Sequence, residues 1–329
     1  MGFNKENLRR IREEYDDKYK KAVSEAEARR EEAESVIPGL DYLNRQTSHV
    51  GLRLMEAALN GSDAYLEELA RIRKQTEEIQ KQKKELLVAY HFPEDYLNIR
   101  YECPDCSDSG YIDGKMCHCM REKLVLAGYE SSGIGSLLSK QTFDNYRLEY
   151  FRQNPKHYAQ MEVNLQELKK YAETFSVPAK DGQILNLLLI GPTGLGKTHL
   201  SSAVARKVIE RGFDVQYTTC VAMLSDFEYQ RFGSNTSGEE VSETSRYYDC
   251  DLLILDDLGT EVSNQFTVSC LYNIINLRLN KGKGTLISTN LTENELRQRY
   301  WDRITSRLFG EYRPLLFVGK DVRLQKLNP

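Results

Sequence analysis

The feature that most constrains this chain is the octapeptide Gly191-Pro192-Thr193-Gly194-Leu195-Gly196-Lys197-Thr198, which fits G-x4-G-K-[ST] at every fixed position. The apolar run Leu187 to Ile190 leads straight into it, and an amphipathic segment of helix length, His199 to Glu210, follows. A glycine-rich turn between a strand and a helix lets the backbone wrap a phosphate with φ values that a Cβ resists. The bared amides and the helix N-terminus then cradle the anion. In such a loop Lys197 is placed for the β- and γ-phosphates of ATP, and the Thr198 hydroxyl for Mg²⁺. The second half of the chain has the matching texture. Apolar runs at Asn186 to Ile190, Val215 to Thr218, Leu252 to Leu255 and Thr285 to Ser288 alternate with amphipathic segments. That alternation predicts an α/β fold with a parallel sheet covered on both faces.

Three further segments carry chemistry. Asp251-Leu252-Leu253-Ile254-Leu255-Asp256-Asp257 reads as a buried strand ending in two carboxylates. Asp256 is placed to hold Mg²⁺ through water, and Asp257 to polarise an attacking water as general base. Ser288-Thr289-Asn290 ends another strand, where Asn290 either orients that water or simply forms a turn. In Tyr300-Trp301-Asp302-Arg303-Ile304-Thr305-Ser306-Arg307-Leu308 two arginines four apart share one helix face. They suit a neighbouring subunit's nucleotide site, surface ion pairs or nucleic-acid phosphates, and spacing alone does not choose.

Seven cysteines form an odd set, and four of them crowd together. Cys103-x2-Cys106, ten residues, then Cys117-x-Cys119 gives two thiolate pairs suited to one tetrahedral Zn²⁺, with Gly110 and Gly114 permitting a hairpin between them. His118 is an alternative to Cys117 or Cys119, a disulfide framework fits a reducing compartment poorly, and an iron–sulfur site is the remaining rival. With four ligands in place the metal is structural, not catalytic. Cys220, Cys250 and Cys270 fall at apolar positions and read as core.

The N-terminal region differs again. From Lys5 to Glu34 there are nine basic and ten acidic residues, with Leu8, Ile11, Tyr15, Tyr19, Val23 and Ala26 forming a narrow apolar stripe that predicts a helix ended by Pro38-Gly39. A second helix is expected from Gly61-Ser62-Asp63 to before Pro93, with Leu69, Ile72, Ile79 and Leu86 on its seam. The pair reads as a hairpin with solvated charges or as a docking face for a partner protein. Met1 to Arg12 holds no apolar leader and no run approaches the ~20 apolar residues of a membrane span, so a cytoplasmic protein without membrane contact is expected. The 329 residues carry 45 Lys and Arg against 49 Asp and Glu, a formal charge of −4, which excludes a protein that is basic all over. From Arg278 to Pro329, however, 11 basic residues face 5 acidic ones, enough for a local patch to track a single strand unless those arginines serve ATP or a subunit interface.

Taken in order, Gly191 to Thr198, Leu252 to Gly259, Ser288 to Leu291 and Arg303-Ile304-x-Ser306-Arg307-Leu308 resemble the AAA+ ATPases of the bacterial helicase-loader and transposition-helper group, the DnaC/DnaI-type loaders and IstB-type ATPases. The likeness runs from about Thr142 to Arg323. It implies Walker A, Walker B, sensor 1 and arginine-finger roles, favouring Arg307 as the finger with Arg303 second. It sets Thr142-Phe143-Asp144-Asn145-Tyr146 against the adenine and implies a sensor 2-like role for Arg323 within Gly319 to Arg323. An end at Pro329 leaves no room for a separate helical lid, as in the loader group. The cysteine-rich module after a helical N-terminus resembles that of DnaI-type loaders, where it docks onto the replicative helicase.

The resemblance thus implies an AAA+ P-loop domain at 181–329, a linker and lead-in segment at 126–180, a zinc module at 99–125 and a helical region at 1–98. It implies ATP, Mg²⁺ and Zn²⁺, ATP-dependent self-assembly, and loading of the replicative helicase onto single-stranded DNA. The alternatives are a transposition helper that binds target DNA and a nucleotide-switched adaptor with little turnover.

Overall fold

The computed structural model describes residues 3–47, 65–133, 140–180, 182–232 and 244–327. It divides into two compact units, Arg12–Cys119 and Met1–Ile11 together with Met120–Pro329.

The helix α1 (Lys5–Val36) belongs to the first unit from Arg12 onward, and there it carries its apolar contacts on a heptad seam: Tyr15, Ala22, Ala26, Ala33 and then Ile37 are buried. The expected stripe therefore shifts, because Tyr19 is largely exposed and stacks on Tyr101 instead, while Ala22 takes its place in the seam. A helical stretch at 40–47 and α2 (Tyr65–Ala89) complete the packing. Ile37, Leu40 and Leu87 form one cluster, and Leu43, Ile72 and Ile79 another. Lys83 is buried between them and donates to Thr47 Oγ1 at 2.7 Å; burial holds its ammonium below the usual lysine range. The expected start of α2 at Gly61-Ser62-Asp63 and the Leu69 side chain lie outside the described residues. Beyond α2, β1 (Tyr111–Ile112) and β2 (Lys115–Met116) form a short antiparallel hairpin, with Gly114 at φ 74° in its turn.

The second unit contains α3 (His118–Ser131, from Met120), α4 (Pro155–Thr174) and a five-stranded sheet. Its strands are β3 (Asn186–Ile190), β4 (Val215–Thr219), β5 (Leu252–Leu258), β6 (Gly284–Thr289) and β7 (Arg313–Leu316). All are parallel, in the order β4-β5-β6-β3-β7. Intervening helices are α5 (Lys197–Glu210), α6 (Cys220–Phe232), α7 (Ser245–Asp249), α8 (Gln265–Asn280), α9 (Glu293–Arg299) and α10 (Asp302–Gly310), followed by α11 (Val322–Leu327). Alternate residues of β3 go to opposite faces, Leu187 and Leu189 into one core cluster, Leu188 and Ile190 into the other. Both faces are covered, so the strands read as continuous apolar runs. The four strands expected from sequence are present, and β7 joins as an edge strand whose Pro314 is tolerated there.

The order of strands decides where the site lies. β6 separates β3 from β5, and the chain leaves β3 toward one side of the sheet but reaches β7 on the other. Ligands in open parallel sheets bind beyond the carboxyl ends of strands at such a reversal. The ends of β3, β6 and β5 carry Gly191, Asn290 and Asp256-Asp257. Among the described residues no helix is long and apolar enough to cross a membrane.

Candidate functional site

The turn after β3 uses its glycines for close approach. Gly191 sits at φ 154°, where a Cβ would run into the Phe317 backbone and side chain. Gly194, at φ 75°, lies over the Asp321 carboxylate, and Gly196, at φ 87°, lies under the Tyr146 ring and begins α5. The loop is thus held on three sides. Val322 N donates to Gly194 O at 3.0 Å, and Tyr146 OH donates to Leu195 O at 3.0 Å. His199 Nε2 lies 2.8 Å from Thr142 O, tying the lead-in segment to α5.

Beside the loop is a cavity of about 360 Å³. Thr193 to His199 line one wall; Asp257 and Asn290 line the end toward the sheet. Gln141, Asn145 and Tyr146 stand on one side and Val322 and Arg323 on another. Lys197 Nζ donates to Asn290 Oδ1 at 2.7 Å and to the carbonyls of Gly191 and Pro192 at 2.6 and 2.8 Å. Asn290 Nδ2 in turn reaches Asp257 Oδ1 at 3.5 Å. Lysine, amide and carboxylate therefore form one line across the ends of three neighbouring strands. Burial pulls the Lys197 ammonium down to about 8, partly offset by Asp257 and Asp256. Asp257 moves up, through burial first and the adjacent Asp256 second, against Lys197, Asn290 and Arg323.

The two neighbouring aspartates have different surroundings. Asp256 is buried; Tyr217 OH donates to its Oδ2 at 2.6 Å and Ser288 Oγ to its Oδ1. Asp257 stands at φ 57°, beside an irregularity in the β5–β6 register, and its side chain lines the cavity. The structure thus brings Lys197, Thr198, Asp257, Asn290 and Arg323 to one cavity, with Asp256 behind Asp257. Arg303 and Arg307 lie outside that cavity on α10. Arg307 packs over the Tyr272 ring at 4.8 Å and donates to Asn276 Oδ1 at 2.9 and 3.1 Å. Sequence reasoning missed Tyr217 and Ser288, which hold Asp256, and Asp321, which underlies Gly194. The hydroxyls of an otherwise apolar strand, Thr285 and Ser288-Thr289, were the available signal on β6.

The basic stretch from Arg278 onward is less free than its count suggests. Arg278 is fully buried and donates to the carbonyls of Tyr247, Cys250, Asp251 and Gly284 and to Thr285 Oγ1. Lys281, Lys283, Arg299 and Arg313 pair with Asp249, Asp251, Glu261 and Glu167. All four acids lie upstream of Arg278, so a local tally overstated the patch. Arg303 and Lys320 remain exposed and in no ion pair among the described residues.

In the first unit the four sulfurs of Cys103, Cys106, Cys117 and Cys119 lie within 4.8 Å of one another. The Cys103–Cys117 and Cys106–Cys119 separations are 3.9 and 3.6 Å. Four sulfurs ~2.3 Å from a tetrahedral zinc stand about 3.8 Å apart, so the donor set fits that ion. The knuckle is pre-shaped: Asp108 accepts from the backbone of Glu102 and Cys103 at 2.9 and 2.8 Å, and Cys117 N donates to Gly110 O. His118 Nδ1 lies 3.5 Å from Cys117 Sγ and 3.6 Å from Asp105, and its side chain is exposed. Cys220 and Cys250 are buried in the sheet's core, and Cys270 packs partly buried against it.

Residues 164–308 match the family of IstB-like ATP binding proteins. They are an IstB-like ATP-binding domain. Its activity class is ATP hydrolysis by a P-loop ATPase of AAA+ type. The chain is 26% identical to the replicative helicase loader DnaC of Escherichia coli (strain K12) over 181 residues, 55% of this chain and 67% of that protein. It is 29% identical to a putative insertion sequence ATP-binding protein of Sinorhizobium fredii over 136 residues, 40% of this chain and 42% of that one. A crystal structure of the DnaC helicase loader covers 55% of this chain and 99% of its own, at 20% identity and a TM-score of 0.45.

Proposed function

We propose that this protein loads the replicative DNA helicase onto single-stranded DNA in the cytoplasm, assembling with ATP and releasing on hydrolysis. The line Lys197–Asn290–Asp257 carries the hydrolytic half of this reading. Lys197 binds the β- and γ-phosphates, and moves from loop carbonyls to phosphate oxygens when they arrive. Asn290 orients a water toward Asp257, which accepts its proton; the upward shift of Asp257 makes its carboxylate a stronger base than an ordinary aspartate. Thr198 and Asp256 are the residues for magnesium, a hydroxyl and a carboxylate being the oxygen chemistry that ion takes. When bound, magnesium neutralises charge on the β/γ-phosphates. Gly191 to Thr198 wrap the phosphates, with Arg323 on the far side of the cavity. Arg307, with Arg303 as the other candidate, serves a neighbouring copy's nucleotide, a role supported by their place on α10 outside this chain's own cavity.

The four-thiolate knuckle and the helices before it form a separate compact unit, which supports a docking role toward the helicase. Arg303 and Lys320 are the cations best placed for single-stranded DNA. The IstB-like match supports a second reading, a transposition helper on target DNA. Full-length protein and its Asp257→Asn variant, mixed with the replicative helicase and ATP, decide between them. The loader reading expects co-elution of both, release of the wild type as ATP is consumed, and retention of Asp257→Asn. Absence of any complex with the wild type overturns it.

A further inference from the structure

Behind the nucleotide cavity lies a buried carboxylate that no step above uses. Glu261 is 4% exposed and sits three residues after Leu258, in the turn that leaves β5. Its Oε2 accepts from Gly259 N at 2.9 Å. Its Oε1 accepts from Tyr300 OH and faces Arg299 Nε at 3.5 Å, while Arg299 Nη2 donates to the Glu261 carbonyl. Burial alone raises a carboxyl, yet the hydrogen bonds from Tyr300 and the backbone hold this one below the ordinary range, so it is a stable anion.

The turn it grips sets Asp257. Thr260 donates twice to Asp257 O, from N at 3.3 Å and from Oγ1 at 2.8 Å. Asp257 N donates to Ser288 Oγ, and Thr289 Oγ1 donates to Leu258 O. Gly259, at φ 105°, packs so close under Leu291 that a Cβ would strike it. Asp257 itself holds a left-handed conformation, φ 57°, that an L-residue keeps only where its neighbours impose it. On one side of the clamp, then, is the strained carboxylate of the cavity. On the other are Arg299 and Tyr300, the end of α9 and the start of the segment that carries Arg303 and Arg307.

We propose that Glu261 is a positioning residue that couples α9–α10 to Asp257, so that displacement of the arginine-bearing helices by a neighbouring molecule changes the aim of the carboxylate and hence the rate of ATP hydrolysis. The proposal rests on the hydrolytic reading of the cavity. It differs from a purely structural role in one respect: the clamp sets turnover without touching nucleotide.

Two near-isosteric variants of the full chain test it. Tyr300→Phe removes one hydroxyl, and Glu261→Gln removes the anion while keeping an acceptor for Gly259 N. Each is expected to lower kcat for ATP about tenfold with KM changed less than about twofold, and the double variant to fall no further than the worse single one. Independently of activity, hydrogen exchange over residues 256–262 should quicken in both variants while the Thr193–His199 loop keeps its protection. Unchanged exchange in that turn overturns the clamp, as does a lowered melting temperature with kcat intact or a rise in KM alone. If wild-type protein shows no turnover, the hydrolytic reading fails, and the exchange measurement still decides whether Glu261 holds the turn.

Discussion

The low-lying ammonium of Lys197 makes nucleotide affinity fall with rising pH. Burial holds it at about 8, so it is about nine-tenths protonated at pH 7 and about one-tenth at pH 9. In the site as described its three hydrogen bonds go to two carbonyls and an amide oxygen, partners that stabilise the cation but bring no negative charge. Phosphate oxygens bring that charge, so binding takes up a proton wherever the lysine has lost it. The sign follows: affinity is full below about 8 and declines above it. The apparent Kd for ATP should rise about tenfold between pH 7 and pH 9, or about 1.4 kcal/mol. Calorimetric titration at constant ionic strength measures it directly. Lys197→Arg supplies the control, because a guanidinium stays charged throughout; that variant binds more weakly at pH 7 but shows no slope. A wild-type affinity flat from pH 7 to 9 refutes the argument. So does a slope that survives in Lys197→Arg, which would assign the titration to another group.

Two further outcomes follow from buried polar groups. Cys117→Ser should reduce bound zinc from about one ion per chain to a small fraction, read by atomic absorption, and loosen the helices of the same unit by circular dichroism; undiminished zinc content would point to His118 as the replacement ligand. Arg278→Met should destabilise the sheet unit by about 3–5 kcal/mol and lower its melting temperature by about 10 °C, because it removes at once the buried donations to the carbonyls of Tyr247, Cys250, Asp251 and Gly284 and to Thr285 Oγ1. A shift under about 2 °C would show that those carbonyls find other donors.

Much of the nucleotide cavity was legible because its chemistry is local in sequence. Gly191 to Thr198 must be contiguous to wrap a phosphate, and Asp256-Asp257 and Asn290 end apolar runs that are unmistakably strands. What holds them was hidden, for a physical reason. Tyr217 and Ser288 reach Asp256 from adjacent strands of a parallel sheet, where the partners are 39 and 32 residues away along the chain. β7 escaped because Arg-Pro-Leu-Leu is short and its proline argues against a ladder; only its place at the edge, paired to β3 alone, makes it admissible. The charge count failed in the opposite sense. It treated Arg278 to Pro329 as a segment, whereas the fold interleaves it with Asp249, Asp251 and Glu167 from elsewhere.

The adjacent aspartates show how one pair of identical side chains acquires two tasks. Along a regular strand successive residues point to opposite faces, and Asp257 would then turn away from the cavity's line of donors. The register between β5 and β6 slips after Leu255, so that Leu258 pairs with Thr289, and the extra residue is taken up at the two aspartates. Asp256 keeps the strand's orientation and is fixed by two hydroxyls. Asp257 takes the positive φ and swings toward Asn290. The strain is local and small, about 1 kcal/mol, against the hydrogen bonds that hold it, one donated by Asp257 N to Ser288 Oγ and one accepted by Asp257 O from Thr260. A conformation that its neighbours impose depends on what fixes the residues that follow it, which is where Glu261 accepts from Gly259 N.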